Sequence, residues 1–321
     1  MEEILRIEHL KKHFIKKHIF SSQVSIVKAT DDVSFYLNKG EVFVLAGESG
    51  SGKSTIAKLI LKSIAADSGK IIFEGNEIGN DKKSLEKIRM NCQMIHQDPY
   101  DSINPRMKIL DIVAEPLEIH QIGDSDVRKK RVLEVLKEVK LEPPEEIIKK
   151  YPHMLSGGQR QRVVLARALS IKPKIIVADE PVSMLDVSIR AEMLELMQEL
   201  QKKYEISFIY ITHDLATARY FGKRIGILYL GKIVEMGKID DVLLRPKHPY
   251  TQALIDAISE PDPNNLNREK NIRIKDSVEI GSNEGCRFRG RCPYAIDKCK
   301  VEPELKTTEE DHAFACYVDL D

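Results

Sequence analysis

The sequence predicts an α/β fold with an all-helical insertion and a small cysteine-bearing C-terminal extension. Three observations carry this prediction. Short β-branched runs alternate with amphipathic helical patterns over the first two-thirds of the 321 residues. Strand signals then vanish between Gln97 and Ser156, and four of the five cysteines fall after residue 285. With 42% hydrophobic residues, a chain of this length suits one large domain with a small appendage.

Taken in order, VFVLA (42–46) reads as a buried strand that runs into a Gly-rich loop and then a helix starting near Lys53. CQMIH (92–96), KIIVAD (174–179) and ISFIYIT (206–212) read as further buried strands. The segment 188–203 puts Ile189, Met193, Leu196, Met197 and Leu200 on one face, which is helical spacing. The insertion reads as helices over 109–118 and 126–141, a helical subdomain of about 98–160 within a domain of 1–258. SEPDPNNLN is rich in Pro and Asn and opens a linker, 259–285, before the extension 286–321. The 50 basic and 50 acidic side chains cancel, so there is no basic excess to neutralise phosphates and no nucleic-acid partner is expected. No apolar run approaches the ~18–20 residues that span a bilayer, and MEEILRIEHLKK lacks the apolar core of a secretory signal. A cytoplasmic protein is expected, attached to any membrane only through a partner.

Residues 47–54, GESGSGKS, fit G-x-x-x-x-G-K-[ST] between a strand and a helix, the context that phosphate-binding motif requires. Gly47, Gly50 and Gly52 let the backbone curl so that N–H groups at Glu48, Ser49 and Ser51 can turn toward phosphate oxygens. The helix that follows adds its positive end. Lys53 reaches the β- and γ-phosphates, the Ser54 hydroxyl ligates magnesium, and Thr55 completes the nucleotide-binding set.

Three more strand or helix ends carry polar residues. LSGGQRQR (155–162) precedes a helix, and Ser156, Gly157, Gly158 and Gln159 form a second anion-binding helix start. IIVADEP (175–181) is an apolar strand ending in Asp179, suited to hold magnesium, and Glu180, suited to polarise an attacking water. Gln97 follows one strand and His213 another.

In this order the residues resemble the ABC ATPase family over roughly 4–260: Walker A at 47–54, the Q-loop Gln97, the LSGGQ signature at 155–159, Walker B ending in Glu180, the D-loop 183–186 and the switch His213. The resemblance implies a P-loop ABC ATPase domain that binds ATP and Mg2+, with catalytic Glu180 and His213, and with Ser54, Gln97 and Asp179 at the magnesium. It implies that two such domains pack head to tail, each ATP lying between the Walker A of one and the signature of the other. An aromatic soon after the first strand stacks on adenine in this family. Phe14 occupies that position, the other reading being a simple apolar anchor.

QDPYDSINPRM (97–107), EPVSMLDVSIRAEMLELMQELQ (180–201) and LLRPKHPYTQAL (243–254) resemble the oligopeptide and dipeptide importer ATPases, and Lys53-Ser54-Thr55 combined with LSGGQRQR resembles the F-type subunit of their heterodimers, which the long 15–28 segment also matches. Met184 departs from the commoner alanine of the D-loop. This branch implies a second ATPase subunit, two transmembrane permease subunits beneath which the protein sits on the cytoplasmic face, and an extracellular solute-binding protein. Close relatives in the branch import oligosaccharides or nickel, and the ATPase never touches cargo. A soluble ABC ATPase of DNA repair or chromosome structure would carry a long coiled coil, but only about a hundred residues without sustained heptads separate Gly47 from Ser156. A translation-factor type would carry two cassettes, and one is present.

Cys286, Cys292, Cys299 and Cys316 are spaced C-x5-C-x6-C-x16-C. So short an extension has few core-forming residues and needs a staple. Disulfides are disfavoured in a reducing compartment. Zinc takes four thiolates but favours C-x2-4-C pairs. A [4Fe–4S] cluster takes four thiolates on wider loops. Cysteine-bearing tails in the peptide-importer branch are linked to such a cluster, which makes the iron–sulfur reading the leading one, with zinc or free thiols as alternatives.

Overall fold

The computed structural model describes residues 2–17, 24–257, 284–308 and 311–318. Strands β1 (Glu3–Lys17), β2 (Val24–Asn38) and β3 (Val42–Ala46) are followed by helix α1 (Lys53–Ile60), then β4 (Ser68–Phe73) and β5 (Asn76–Glu77). Next come α2 (Lys82–Asn91), β6 (Cys92–Ile95), α3 (Pro99–Ser102), α4 (Ile109–Ile119), α5 (Ser125–Glu138), α6 (Pro144–Ile147) and α7 (Gly157–Leu169). The chain continues through β7 (Ile175–Asp179), α8 (Val187–Tyr204), β8 (Ser207–Thr212), α9 (Leu215–Phe221), β9 (Arg224–Tyr229), β10 (Lys232–Lys238), α10 (Ile239–Leu244) and α11 (Pro249–Asp256). Two short strands, β11 (Lys306–Thr307) and β12 (Ala313–Phe314), lie in the C-terminal extension.

By contact the chain divides into two compact units, a partition different from one at residue 258. The first comprises Met1–Ile4, Leu37–Glu41 and Ile78–Tyr210. The second comprises Leu5–Tyr36, Val42–Glu77 and Ile211–Asp321, so the extension belongs to the same unit as the phosphate loop. Most of the expected linker lies outside the described residues.

In the first unit β6 and β7 pair in parallel, Cys92 opposite Ile175 and Ile95 opposite Ala178. The residues of β7 are all buried, which is why IIVA reads as one continuous apolar run before Asp179. The start of β8 is fixed by the Ser207 N–H donating to Lys174 O (2.9 Å) and the Phe208 N–H to Glu41 O (2.7 Å). The insertion is helical as the sequence predicts. Its helices α4 and α5 pack on one another and on α7 through Ile112, Val113, Leu117, Val135, Leu136 and Val163, all buried. Helices α5 and α7 start where a side chain accepts free N–H groups of the first turn, whereas α4 starts at Lys108 without such a cap. Asp124 caps α5, and Ser156 caps α7 in a reciprocal box with Gln159.

In the second unit β3 pairs in parallel with β9, Val44 opposite Ile225, and β9 pairs antiparallel with β10. The extension adds to that sheet: β12 runs antiparallel to β10, with Glu235 opposite Phe314, and β11 runs antiparallel to β12. A second sheet orders its strands β2-β1-β4-β5. Here β1 carries a bulge between Glu8 and Lys11, with His9 in the left-handed region (φ 48°). The bulge moves the buried face from Leu5 and Ile7 to Leu10.

Cys92 begins β6 fully buried, and that burial pushes its thiol up to about 12. At pH 8 only about one in ten thousand such thiols is ionised, and the thiolate is the nucleophile. Raising the pH to 9 increases that fraction tenfold but leaves it negligible. Peptide mapping after iodoacetamide treatment should therefore find Cys92 unmodified in the native chain at both pH values and modified once denaturant is present.

Candidate active site

The phosphate loop leaves β3 at Ala46 and closes on α1 at Lys53. Two main-chain segments press on it. A Cβ at Gly47 would lie 2.2 Å from Leu228 O, and one at Gly52, where φ is 110°, would lie 2.0 Å from Ala29 O. Both positions therefore exclude any side chain. Gly231 N–H donates to Ser51 O at 2.7 Å, tying the loop to the turn between β9 and β10. Lys53 is buried, and its ammonium donates to Gly47 O (2.7 Å), Glu48 O (2.9 Å) and Ser51 Oγ (3.3 Å). Helix α1 begins at Gly52 without a side-chain cap, so its first-turn N–H groups are not closed off by a neighbouring oxygen of that kind. Ser49, Gly50 and Ser54 are exposed, and Thr55 is half-buried. The donor set of a phosphate site is thus assembled in one loop, and its residues fit a polyphosphate.

Glu48 of that loop is held at both its backbone and its side chain. Its N–H donates to the Tyr250 hydroxyl at 2.8 Å. Its carboxylate accepts two bonds from the Arg291 guanidinium, at 2.9 and 3.1 Å. Neither Tyr250 nor Arg291 emerges from the sequence as a site residue. Tyr250 lies in LLRPKHPYTQAL, noticed only as a resemblance, and Arg291 lies one residue before Cys292. Phe14, the expected adenine platform, lies on β1 and is 40% exposed; the Lys12 ammonium sits 5.6 Å from its ring centroid. His213 is exposed just beyond β8.

In the first unit the parallel register that pairs Ile95 with Ala178 brings Gln97 and Glu180 to the same strand edge. The Gln97 amide donates to the Glu180 carboxylate at 3.0 Å. Glu180 follows the buried Asp179 and adopts φ 48°, a left-handed conformation uncommon for a side-chain-bearing residue. The Ser183 N–H (3.2 Å) and hydroxyl (3.0 Å) donate to Glu180 O and hold that turn. Ser156, Gly157 and Gln159 are exposed at the start of α7, with Gly158 half-buried.

The four extension cysteines line one small cavity with His248 and Phe288, and all are unbridged. Burial pushes Cys292 up to about 11 and raises Cys286 and Cys316, with the neighbouring thiols adding to each. Among the described residues, no three or more Cys, His, Asp or Glu side chains form a group set to clasp one metal ion.

A family model described as ABC transporter matches residues 30–183, and one described as oligopeptide/dipeptide transporter, C-terminal region, matches residues 234–299. The oligopeptide transport ATP-binding protein AppF of Bacillus subtilis is 40% identical over 99% of this chain and 98% of its own. OppF of the same organism is 42% identical over 95% of this chain and 98% of its own. A probable peptide ABC transporter ATP-binding protein of Sinorhizobium fredii is 41% identical over 99% of this chain and 90% of its own. The chain belongs to the ATP-binding subunits of ABC transporters. The solved ATP-binding cassette MJ0796, in a dimeric state bound to ADP and Pi, is 31% identical with a TM-score of 0.64, covering 74% of this chain and 99% of that one. Like other ABC subunits the chain is an ATPase, and among its described residues no helix is long and apolar enough to cross a membrane.

Tyr250 depends on the start of α11. His248 Nδ1 accepts the Tyr250 N–H at 3.0 Å, which requires a neutral ring. Burial holds His248 down at about 3, against an ordinary value of about 6.5. Below pH 6.5 the unfolded chain takes up a proton that the folded chain refuses, so stability falls as pH drops, by up to about 1.4 kcal/mol per unit. Thermal unfolding at pH 7 and pH 5 should show a larger loss for the parent than for His248→Asn, which keeps a capping oxygen but does not titrate.

Proposed function

We propose that this subunit powers the import of oligopeptides or dipeptides through partner membrane subunits. The observation that carries the cargo is that relatives named for peptide transport align over nearly the whole chain, the C-terminal extension included. An oligosaccharide or nickel cargo draws no support from those names. The partners are a second ATP-binding subunit, two permease subunits and, indirectly, a solute-binding protein, with the chain held at the cytoplasmic face of the membrane.

In this reading the loop N–H groups and Lys53 bind the ATP phosphates, exchanging the loop carbonyls that Lys53 now contacts for phosphate oxygens. Phe14 stacks on the adenine. Ser54, Gln97 and Asp179 hold Mg2+, which when bound neutralises phosphate charge. Glu180 is the general base: its carboxylate takes a proton from water as the water oxygen attacks the γ-phosphorus and the bond from that phosphorus to the β–γ bridging oxygen breaks, releasing ADP and phosphate. The Gln97 bond and the left-handed turn fix where that carboxylate points. His213 lies beyond β8 as the switch residue. The exposed Ser156 helix start, with Met154, Met184 and Val187 bare on the same unit, supports pairing with a second cassette, whose ATP the signature residues Ser156, Gly157, Gly158 and Gln159 would contact.

Cys286, Cys292, Cys299 and Cys316 hold a [4Fe–4S] cluster that staples the extension. The support is one cavity lined by four unbridged thiols, the number of thiolates that a [4Fe–4S] cluster takes. Buried thiols with raised pKa values gain by binding as thiolates to a cation.

Two measurements test this. Glu180→Gln in the assembled transporter should bind ATP but lose ~10²–10⁴-fold in turnover, and near-parental hydrolysis would reject Glu180 as the base. Chain purified without oxygen should be brown, with about four iron and four acid-labile sulfide per chain. A colourless anaerobic sample with about one zinc per chain would replace the cluster with zinc.

A further inference from the structure

The cysteine-bearing extension does more than fold beside the phosphate loop: it places a guanidinium on it. Arg291 makes a bidentate pair with Glu48, the loop's second residue, through Nη1–Oε2 (2.9 Å) and Nη2–Oε1 (3.1 Å). The same guanidinium donates to the Tyr229 hydroxyl at 3.4 Å and lies 5.9 and 5.8 Å from the ring centroids of Tyr229 and Phe288. Those rings form one cluster with Tyr250, with centroids 4.5–5.5 Å apart. Glu48 is therefore gripped three times, at its N–H by Tyr250, at its carbonyl by Lys53 and at its carboxylate by Arg291.

The extension is itself anchored beside the loop. Arg287 pairs with Asp31 and donates to Leu230 O, and the Ala315 N–H donates to Val234 O at 2.8 Å. Asp31 in turn gives its N–H to Gly231 O at 2.8 Å, and Gly231 N–H holds Ser51 of the loop. Arg291 is thus carried on a strut with fixed ends. A long flexible cation in open solvent would gain little from such a pair.

A carboxylate in a phosphate-binding loop is an electrostatic liability, because it repels the polyphosphate it sits beside. We infer that Arg291 is a positioning residue of the ATP site, which acts through Glu48 by neutralising its carboxylate, so that the loop presents its N–H groups without a repelling charge. The inference rests on the reading of residues 47–54 as the ATP-binding loop. An uncompensated carboxylate close to the phosphates would weaken ATP binding about five- to tenfold at the effective dielectric constants of protein surfaces.

The test measures MgATP dissociation constants of the full-length chain by calorimetry, for Arg291→Gln, Glu48→Gln and the double variant. Lys53→Ala serves as the site control and Lys140→Gln as a surface control; Lys140 pairs with Glu199 in the other unit. Arg291→Gln should weaken binding about five- to tenfold, more for ATP than for ADP, and the loss should shrink as salt rises. Adding Glu48→Gln should restore affinity to within about twofold of the parent, a rescue that a merely structural role for Arg291 would not produce. Glu48→Gln alone, which removes the carboxylate and leaves the cation unpaired beside the loop, should bind ATP more tightly than the parent. Parental affinity in Arg291→Gln overturns the inference, and so does a loss that Glu48→Gln fails to rescue. If Arg291→Gln does not fold, the single Glu48→Gln variant decides, and affinity no tighter than the parent overturns the inference. Parental affinity in Lys53→Ala would instead reject the loop as the ATP site.

Discussion

The phosphate loop is built around a shortage of space. Its carbonyls must turn inward to the Lys53 ammonium, and its two ends must pass within touching distance of Leu228 O and Ala29 O. Such a curl is available only where no Cβ stands in the way, so Gly47 and Gly52 fix what must surround them. Leu228 comes from β9 and Ala29 from β2, so the loop is clamped between strands that belong to different sheets of the second unit. The Ser51–Gly231 bond closes the clamp at the turn after β9. Displacing any of these strands would move the loop, and with it the N–H groups that must meet a phosphate.

The first unit solves a different problem, that of aiming a carboxylate. A side chain at the end of a strand ordinarily continues the alternation of the pleat. Glu180 breaks it by entering the left-handed region, at some cost in local strain. That cost is offset by the two Ser183 bonds to its carbonyl and by the Gln97 amide on its carboxylate. Gln97 can reach it because β6 and β7 run parallel and end level, so both residues leave the sheet at one edge. An antiparallel pair would have put their C-terminal ends at opposite edges.

Much of this was legible in the residues, and what was not has physical reasons. The strands Val42–Ala46, Ile175–Asp179 and Ser207–Thr212 read correctly because each is buried throughout and so carries a near-continuous apolar run, with polar residues only at the strand ends. Helices α4, α5 and α8 kept their period and their ends within a few residues. Phe14 was expected soon after the first strand but lies on it: β1 continues to Lys17 past a bulge where its face switches from Leu5 and Ile7 to Leu10, so EHLKKHF holds no constant alternation that would show the strand's length. The motif positions were visible as spacing, but Tyr250 and Arg291 were not, since they meet Glu48 from 202 and 243 residues away and no local pattern encodes such a contact. The strands of the extension were likewise invisible, because a two-residue strand such as Ala313–Phe314 has no periodicity of its own and exists only by pairing with β10.

β10 is where these long-range supports converge, through one buried carboxylate. Glu235 is fully buried, a costly position for an acid unless its oxygens are satisfied. One oxygen accepts the Lys247 N–H at 2.7 Å and faces His312 Nε2 at 2.7 Å; the other accepts the His248 N–H at 3.0 Å. The first set of contacts ties down the segment that opens α11, and through it Tyr250. The contact with His312 ties down the strand of the extension, whose own pairing with β10 begins at Glu235 itself. Tyr250 and the extension that carries Arg291 are the two outside supports of Glu48, so a single buried acid lies beneath both. An apolar residue at position 235 would remove the desolvation cost but leave two helix-entry N–H groups and an imidazole nitrogen without that partner. The loss would therefore be felt at the phosphate loop as well as at the site of the substitution.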